Sequence, residues 1–262
     1  MKSLEECTPS RGVPQNTGSG VSFVSAAVLR RYTWHDAEVR DGYSGAGKIE
    51  AIFGKGIWSE FHGKRVLDFG CGAGDETMEI ARHGAADVLG IDIQESWIAI
   101  AERKLRRADL PNCRFSTAPD DTKADVILSI DSFEHFGNPA EILEQMASLL
   151  APTGKVIVSF GPPWYHPLGG HIPLFPWAHL LLSEHEIMKW RAQFKSDGAT
   201  RFSEVAGGLN QMSIRRFEQI VSQSPLRMAS MTGVPIRAAR KLHCTWTREF
   251  LTSIVKAVLV PR

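Results

Sequence analysis

From residue 64 onward, short apolar runs alternate with stretches of helical spacing. The runs at 65–69, 88–93, 113–117, 124–130 and 155–160 have the length and β-branched content of strands, and 76–83, 96–108 and 139–150 repeat apolar residues at helical intervals. Continuous apolar strands separated by helices predict an α/β fold whose mostly parallel sheet is buried on both faces. Pro152-Thr153-Gly154 reads as the turn into the fifth strand. After Gly161 the rhythm stops. Residues 162–212 carry Pro162, Pro163, Pro167, Pro173 and Pro176 among many aromatics, which predicts a long binding insertion or lid. A helix at 214–223 follows. Strand-like pieces at 226–231 and 250–259 then flank a short Arg/Lys-rich helix and would complete a seven-stranded sheet with an antiparallel pair. Upstream, Val21 to Phe61 keep helical spacing interrupted at Asp41-Gly42-Tyr43-Ser44-Gly45, so helices precede the sheet. The expected organisation is a flexible tail (1–19), an N-terminal helical cap (20–62), the α/β core (63–161), the lid insertion after strand five (162–212) and a C-terminal helix with antiparallel strands (213–262).

Composition narrows the setting. Hydrophobic residues make up 43% and charged residues 23% of the 262, which predicts a buried core and argues against disorder. The cysteines (Cys7, Cys71, Cys113, Cys244) are scattered without a C-x-x-C pair, as expected of reduced cytoplasmic thiols. No apolar leader and no run of about 18 apolar residues is present, so neither secretion nor a membrane partner is expected. The net charge of +1 hides an asymmetry: from Lys189 to Arg262, thirteen Lys/Arg face four Asp/Glu. These cations are spread out, which fits a solvated face better than a nucleic-acid site.

The chemistry centres on Val66-Leu67-Asp68-Phe69-Gly70-Cys71-Gly72-Ala73-Gly74-Asp75. Alternating glycines between a strand and a helix let the backbone approach a ligand at the helix N-terminus. A dinucleotide site wants a third glycine where Asp75 stands, and an acid beneath a pyrophosphate would repel it. The stretch instead resembles the first motif of class I S-adenosylmethionine-dependent methyltransferases, which implies a Rossmann-like sheet. The resemblance implies that Asp68, Gly70, Cys71, Gly72 and Gly74 belong to the cofactor site. It also implies that Asp92, in Leu89-Gly90-Ile91-Asp92-Ile93, holds the ribose hydroxyls with Ile93 beside it. Asp120, or alternatively Asp121, would meet the adenine amino group, and Asp131 would lie in the same cofactor site.

Candidate catalytic groups follow the fourth strand in Asp131-Ser132-Phe133-Glu134-His135-Phe136. Histidine suits general-base chemistry near neutral pH, so His135 is the first candidate, with His166 and His171 of the insertion as alternatives. Asp131, Glu134 and His135, at i, i+3 and i+4, would share one side of a helical turn and form a divalent-metal half-site. The spacing is similar to the Glu-x-x-Glu-His of ubiquinone-biosynthesis O-methyltransferases and small-RNA 3′-end methyltransferases. Metal dependence is the less favoured expectation. The expected activity is methyl transfer from S-adenosylmethionine, O-methylating a small-molecule acceptor. The alternatives are a metal-assisted RNA or quinol-type enzyme and a non-catalytic binder of the cofactor.

Overall fold

The computed structural model describes residues 47–171, 174–193, 195, 198–205 and 208–262. The expected tail and most of the helical cap, including Tyr32, Trp34 and His35, lie outside them. The chain enters through α1 (Lys48–Phe53) and α2 (Trp58–Phe61). It then builds β1 (Arg65–Phe69), α3 (Asp75–Arg82), β2 (Asp87–Ile91), α4 (Glu95–Leu105), β3 (Cys113–Ser116), β4 (Ala124–Ile130), α5 (Pro139–Leu149) and β5 (Leu150–Phe160). The insertion contributes α6 (Ala178–Leu181) and α7 (Glu184–Arg191). The chain closes with α8 (Ile214–Gln223), β6 (Leu226–Pro235), α9 (Arg248–Leu251) and β7 (Thr252–Pro261).

The strands form one seven-stranded sheet in the order β3-β2-β1-β4-β5-β7-β6. The first five are parallel, and β7 pairs antiparallel with β5 and β6. Alternation along each strand explains why both faces are dry. Leu67, Phe69, Leu89, Ile91, Val156 and Val158 join one core with Leu143 and Met146 of α5 and Phe217 of α8. Val66, Val88, Val126, Leu128 and Ile157 join the opposite core with Met78 and Ile80 of α3 and Ile49 and Phe61 of the entering helices. The two antiparallel strands therefore complete the sheet as expected.

Several boundaries differ. β5 begins at Leu150, not after the Pro152–Gly154 turn, because Leu150 already pairs with Ala124 across a register irregularity. β6 runs on to Pro235, and Arg248–Leu251 is helical before β7 starts at Thr252. In the insertion, Ile187, Met188, Phe202 and Leu209 form a small separate core against which Trp164 packs. Some of its aromatics are therefore structural. Ser183 starts α7 with a capping box to Glu186, which explains why a helix nucleates directly after three leucines.

Candidate active site

Strand order reverses between β1 and β4, and the loops leaving their carboxyl ends meet there, the usual ligand position in an open α/β sheet. A Cβ added at Gly70 would stand 2.7 Å from Ser132 Cβ, so glycine is what lets the two loops touch. Beside them lies a cavity of about 620 Å³ lined by residues of the glycine loop, Asp92–Gln94, Trp97, Thr117, Pro119, Asp131, Ser132, His135 and Phe136. That volume suits a nucleoside-sized ligand.

The glycines divide the work. Gly72 has φ +50° and nothing within 4 Å of a Cβ position, so its open side faces the cavity. Gly74 has φ +79°, but its Cβ would collide with the Phe115 ring at 2.4 Å and Ala101 at 2.9 Å, so it serves helix–strand packing. Asp92 closes the loop from below: Oδ2 accepts from Gly72 N–H at 3.0 Å and Oδ1 from Gln94 N–H at 2.9 Å. Each oxygen keeps a further lone pair for a hydroxyl donor. Ile93, 88% exposed, is an apolar rim residue of the same cavity.

Three expected cofactor residues stand behind this wall. Asp68 is buried and accepts from Thr77 Oγ1 at 2.6 Å; burial pushes its carboxyl up to about 7. Cys71 is buried with its thiol driven far upward by the same desolvation, and it does not line the cavity, nor does Gly74. They shape the loop. Asp120, expected at the adenine amino group, does not line this cavity. Its carboxylate pairs with Arg65 at 2.7 Å and Arg114 at 2.9 Å, and Arg65 opens β1 at the sheet edge opposite the glycine loop. The residues of that connection that reach the cavity are Thr117 and Pro119. Beyond Pro119 the connection turns back toward the start of β4 at Ala124, which carries Asp120 away from the cavity.

The segment after β4 is not a helical turn from Asp131. Asp131 takes a left-handed φ of +47°, and a 3₁₀ turn spans Phe133–His135. Asp131, Glu134 and His135 consequently point apart, and among the described residues they form no metal-ligand cluster. Asp131 Oδ2 lies 2.8 Å from Lys48 Nζ at the cavity rim. Glu134 faces inward, accepts from Gly161 N–H at 3.1 Å, and is raised to about 8 by burial and then by Asp131. His135 lines the cavity, and its Nδ1 bonds the Gly208 carbonyl. A carbonyl can only accept, so Nδ1 carries a proton, and in the tautomer this selects for the neutral ring Nε2 is the acceptor nitrogen.

The insertion histidines do other work. His171 packs its ring edge-on against His135 at 5.7 Å and bonds the Pro162 carbonyl; desolvation and then His135 push it down to about 4. His166 is buried and accepts from Leu168 N–H at 3.0 Å inside its own turn. Neither lines the cavity. Sequence reading missed Asn210, whose Nδ2 donates to the Phe133 and Phe136 carbonyls at 2.9 Å while its N–H donates to the Glu134 carbonyl. No local pattern marks a residue whose partners lie more than seventy positions away.

The profile of a family described as a methyltransferase domain matches residues 37–224. The chain therefore belongs to the class I S-adenosylmethionine-dependent methyltransferases. It is 36% identical over 104 residues to the ubiquinone biosynthesis O-methyltransferase of Acinetobacter baumannii, covering 37% of this chain and 44% of that one. It is 31% identical over 137 residues to the Psychrobacter cryohalolentis enzyme of the same name, covering 49% and 51%. The chain thus spans about half the length of these curated relatives, or less. An S-adenosylmethionine-dependent methyltransferase from Mesorhizobium loti shares the fold with a TM-score of 0.55 at 18% identity, over 82% of this chain and 99% of that one.

Proposed function

We propose that the chain transfers the methyl group of S-adenosylmethionine to a hydroxyl oxygen of a small or mid-sized acceptor, with His135 as general base. The supporting observation is that one cavity brings together the open side of Gly72, the Asp92 carboxylate and the acceptor nitrogen of His135. The donor set fits the cofactor. Asp92 would accept the ribose hydroxyls, Gly70 and Gly72 allow close approach of backbone, and Ile93 with Trp97 offers apolar contact to a base. Asp131, Ser132 and Phe136 form the wall leading to His135. When bound, the cofactor supplies an electrophilic methyl group on a sulfonium.

The protein's own contributions are alignment and proton removal. An acceptor hydroxyl placed at His135 passes its proton to Nε2, while the Gly208 carbonyl stabilises the imidazolium through Nδ1–H. The names of the relatives favour a phenolic, quinol-like acceptor. Calorimetry with S-adenosylhomocysteine and transfer of a labelled methyl group to a panel of catechols test this reading. Binding together with catechol methylation that His135→Ala abolishes is expected. Absence of S-adenosylhomocysteine binding by a folded protein would overturn the cofactor assignment, and full activity in His135→Ala would overturn the base.

A further inference from the structure

Large apolar side chains on the surface are not scattered. Apart from Ile93 and Trp97 at the cofactor cavity, the exposed ones among the described residues are Tyr165, Trp177 and Leu180–Leu182 of the insertion and Leu242, Trp246 and Phe250 of the β6–β7 connection. Contacts tie the two groups into one face. The Tyr165 and Phe250 rings lie 5.8 Å apart. Trp177 Nε1 donates to the Tyr165 carbonyl at 3.0 Å, and Thr247 Oγ1 donates to the Leu242 carbonyl at 2.6 Å. The tips stand well out of the protein: Leu181 is 72%, Leu242 69% and Trp246 91% exposed. Contiguous apolar exposure of this kind marks an interaction site, not ordinary surface.

Charge selects the occupant. Residues 161–183 contain no Asp, Glu, Lys or Arg, and residues 236–247 contain Arg237, Arg240 and Lys241 but no acid. These three cations sit on the exposed 3₁₀ helix Arg237–Leu242, with Lys241 next to the protruding Leu242, Arg240 two residues before it and Arg237 at the helix start. A second copy of the same face would set cations against cations, so an isologous dimer is disfavoured. The acids nearest the face, Glu184 and Glu249, are engaged as acceptors of the Phe202 N–H and of the Ile214 and Arg215 N–H groups, so apolar tips with Trp and Tyr among them and the cations of the 3₁₀ helix match the headgroup boundary of an anionic bilayer. Among the described residues no helix is long and apolar enough to cross a membrane, so the contact is peripheral.

We infer that this face, built from the insertion and the β6–β7 connection, docks the protein on an anionic lipid surface. The insertion that carries the apolar tips also carries His171, whose ring rests against His135. Docking would thus hold the acceptor side of the cavity close to the membrane, where a lipid-soluble acceptor is concentrated. That last consequence rests on the methyltransferase reading; the docking does not.

The test is flotation of the full chain with vesicles of phosphatidylcholine alone or with about 30% phosphatidylglycerol. Expected is at least tenfold greater association with the anionic vesicles, weakened by salt. The exposed-site variant Leu181→Ser/Trp246→Ser should lose about tenfold on both vesicle types, and Arg240→Glu/Lys241→Glu should lose the preference for phosphatidylglycerol. Unchanged melting curves would show that both variants fold, as their exposure predicts. Equal association of all three proteins would overturn the inference. So would absence of vesicle binding, whether sedimentation velocity reveals a dimer that Leu181→Ser/Trp246→Ser dissolves or the chain instead binds polyglutamate. Vesicle binding without S-adenosylhomocysteine binding would overturn only the methyltransferase reading.

Discussion

At the scale of single residues, two glycines of one loop separate binding from stability. Gly72→Ala places a methyl group in open space toward the cavity, so it should abolish S-adenosylhomocysteine binding in calorimetry while lowering stability by only about 1–2 kcal/mol for its left-handed φ. Gly74→Ala drives a methyl into Phe115 and should show the reverse emphasis, a marked drop in melting temperature. His135→Ala should reduce methyl transfer by about 10²–10⁴-fold and leave cofactor affinity intact, the signature of a lost base. His171, held down near 4 and bonded to Pro162, lacks a base's position at the cavity, so His171→Ala should cost far less in labelled-methyl assays.

Among elements, the decisive contact joins the end of the insertion to the turn after β4. Gly208 accepts from His135, and Asn210 bonds the carbonyls of Phe133, Glu134 and Phe136, so the turn after β4 takes its shape from a segment distant in sequence. Asn210→Ala would take the side-chain donor from the Phe133 and Phe136 carbonyls and leave the backbone bond to Glu134 in place. The expected result is a drop in kcat of about tenfold or more with unchanged affinity for S-adenosylhomocysteine, and recovery in no single-site variant of the glycine loop. The same turn bears on metal use. Asp131 is paired with Lys48 and Glu134 is turned into the protein, so treatment with a chelator is expected to leave methyl transfer unchanged. Loss of activity on chelation, restored by a divalent cation, would contradict that expectation.

For the whole molecule, two buried carboxyls under the sheet's carboxyl edge make stability depend on pH. Glu134 is raised from 4.5 to about 8 and Asp68 from 3.8 to about 7, both chiefly by burial. Between those limits the folded chain keeps protons that the unfolded chain has released. Their stabilising contribution is complete below the unfolded values and is lost as pH rises through the folded ones, about a few kcal/mol for each group. Glu134→Gln should therefore gain in melting temperature relative to the native chain as pH is raised from 4.5 to 8; a difference that stays flat with pH would refute a protonated Glu134. By itself the sequence determined the strands and helices of the core, the antiparallel closing pair, the glycine loop and Asp92. Those features are written in local periodicity and spacing, where apolar alternation and glycine act on near neighbours. Only the tertiary structure decided that Asp120 pairs with Arg65 and Arg114, that Asp131, Glu134 and His135 diverge, and that Asn210 braces the turn. It also gathered the apolar tips of two segments onto one face. These depend on chain paths that bring distant residues together, and burial and hydrogen bonding across such paths leave no mark on local spacing.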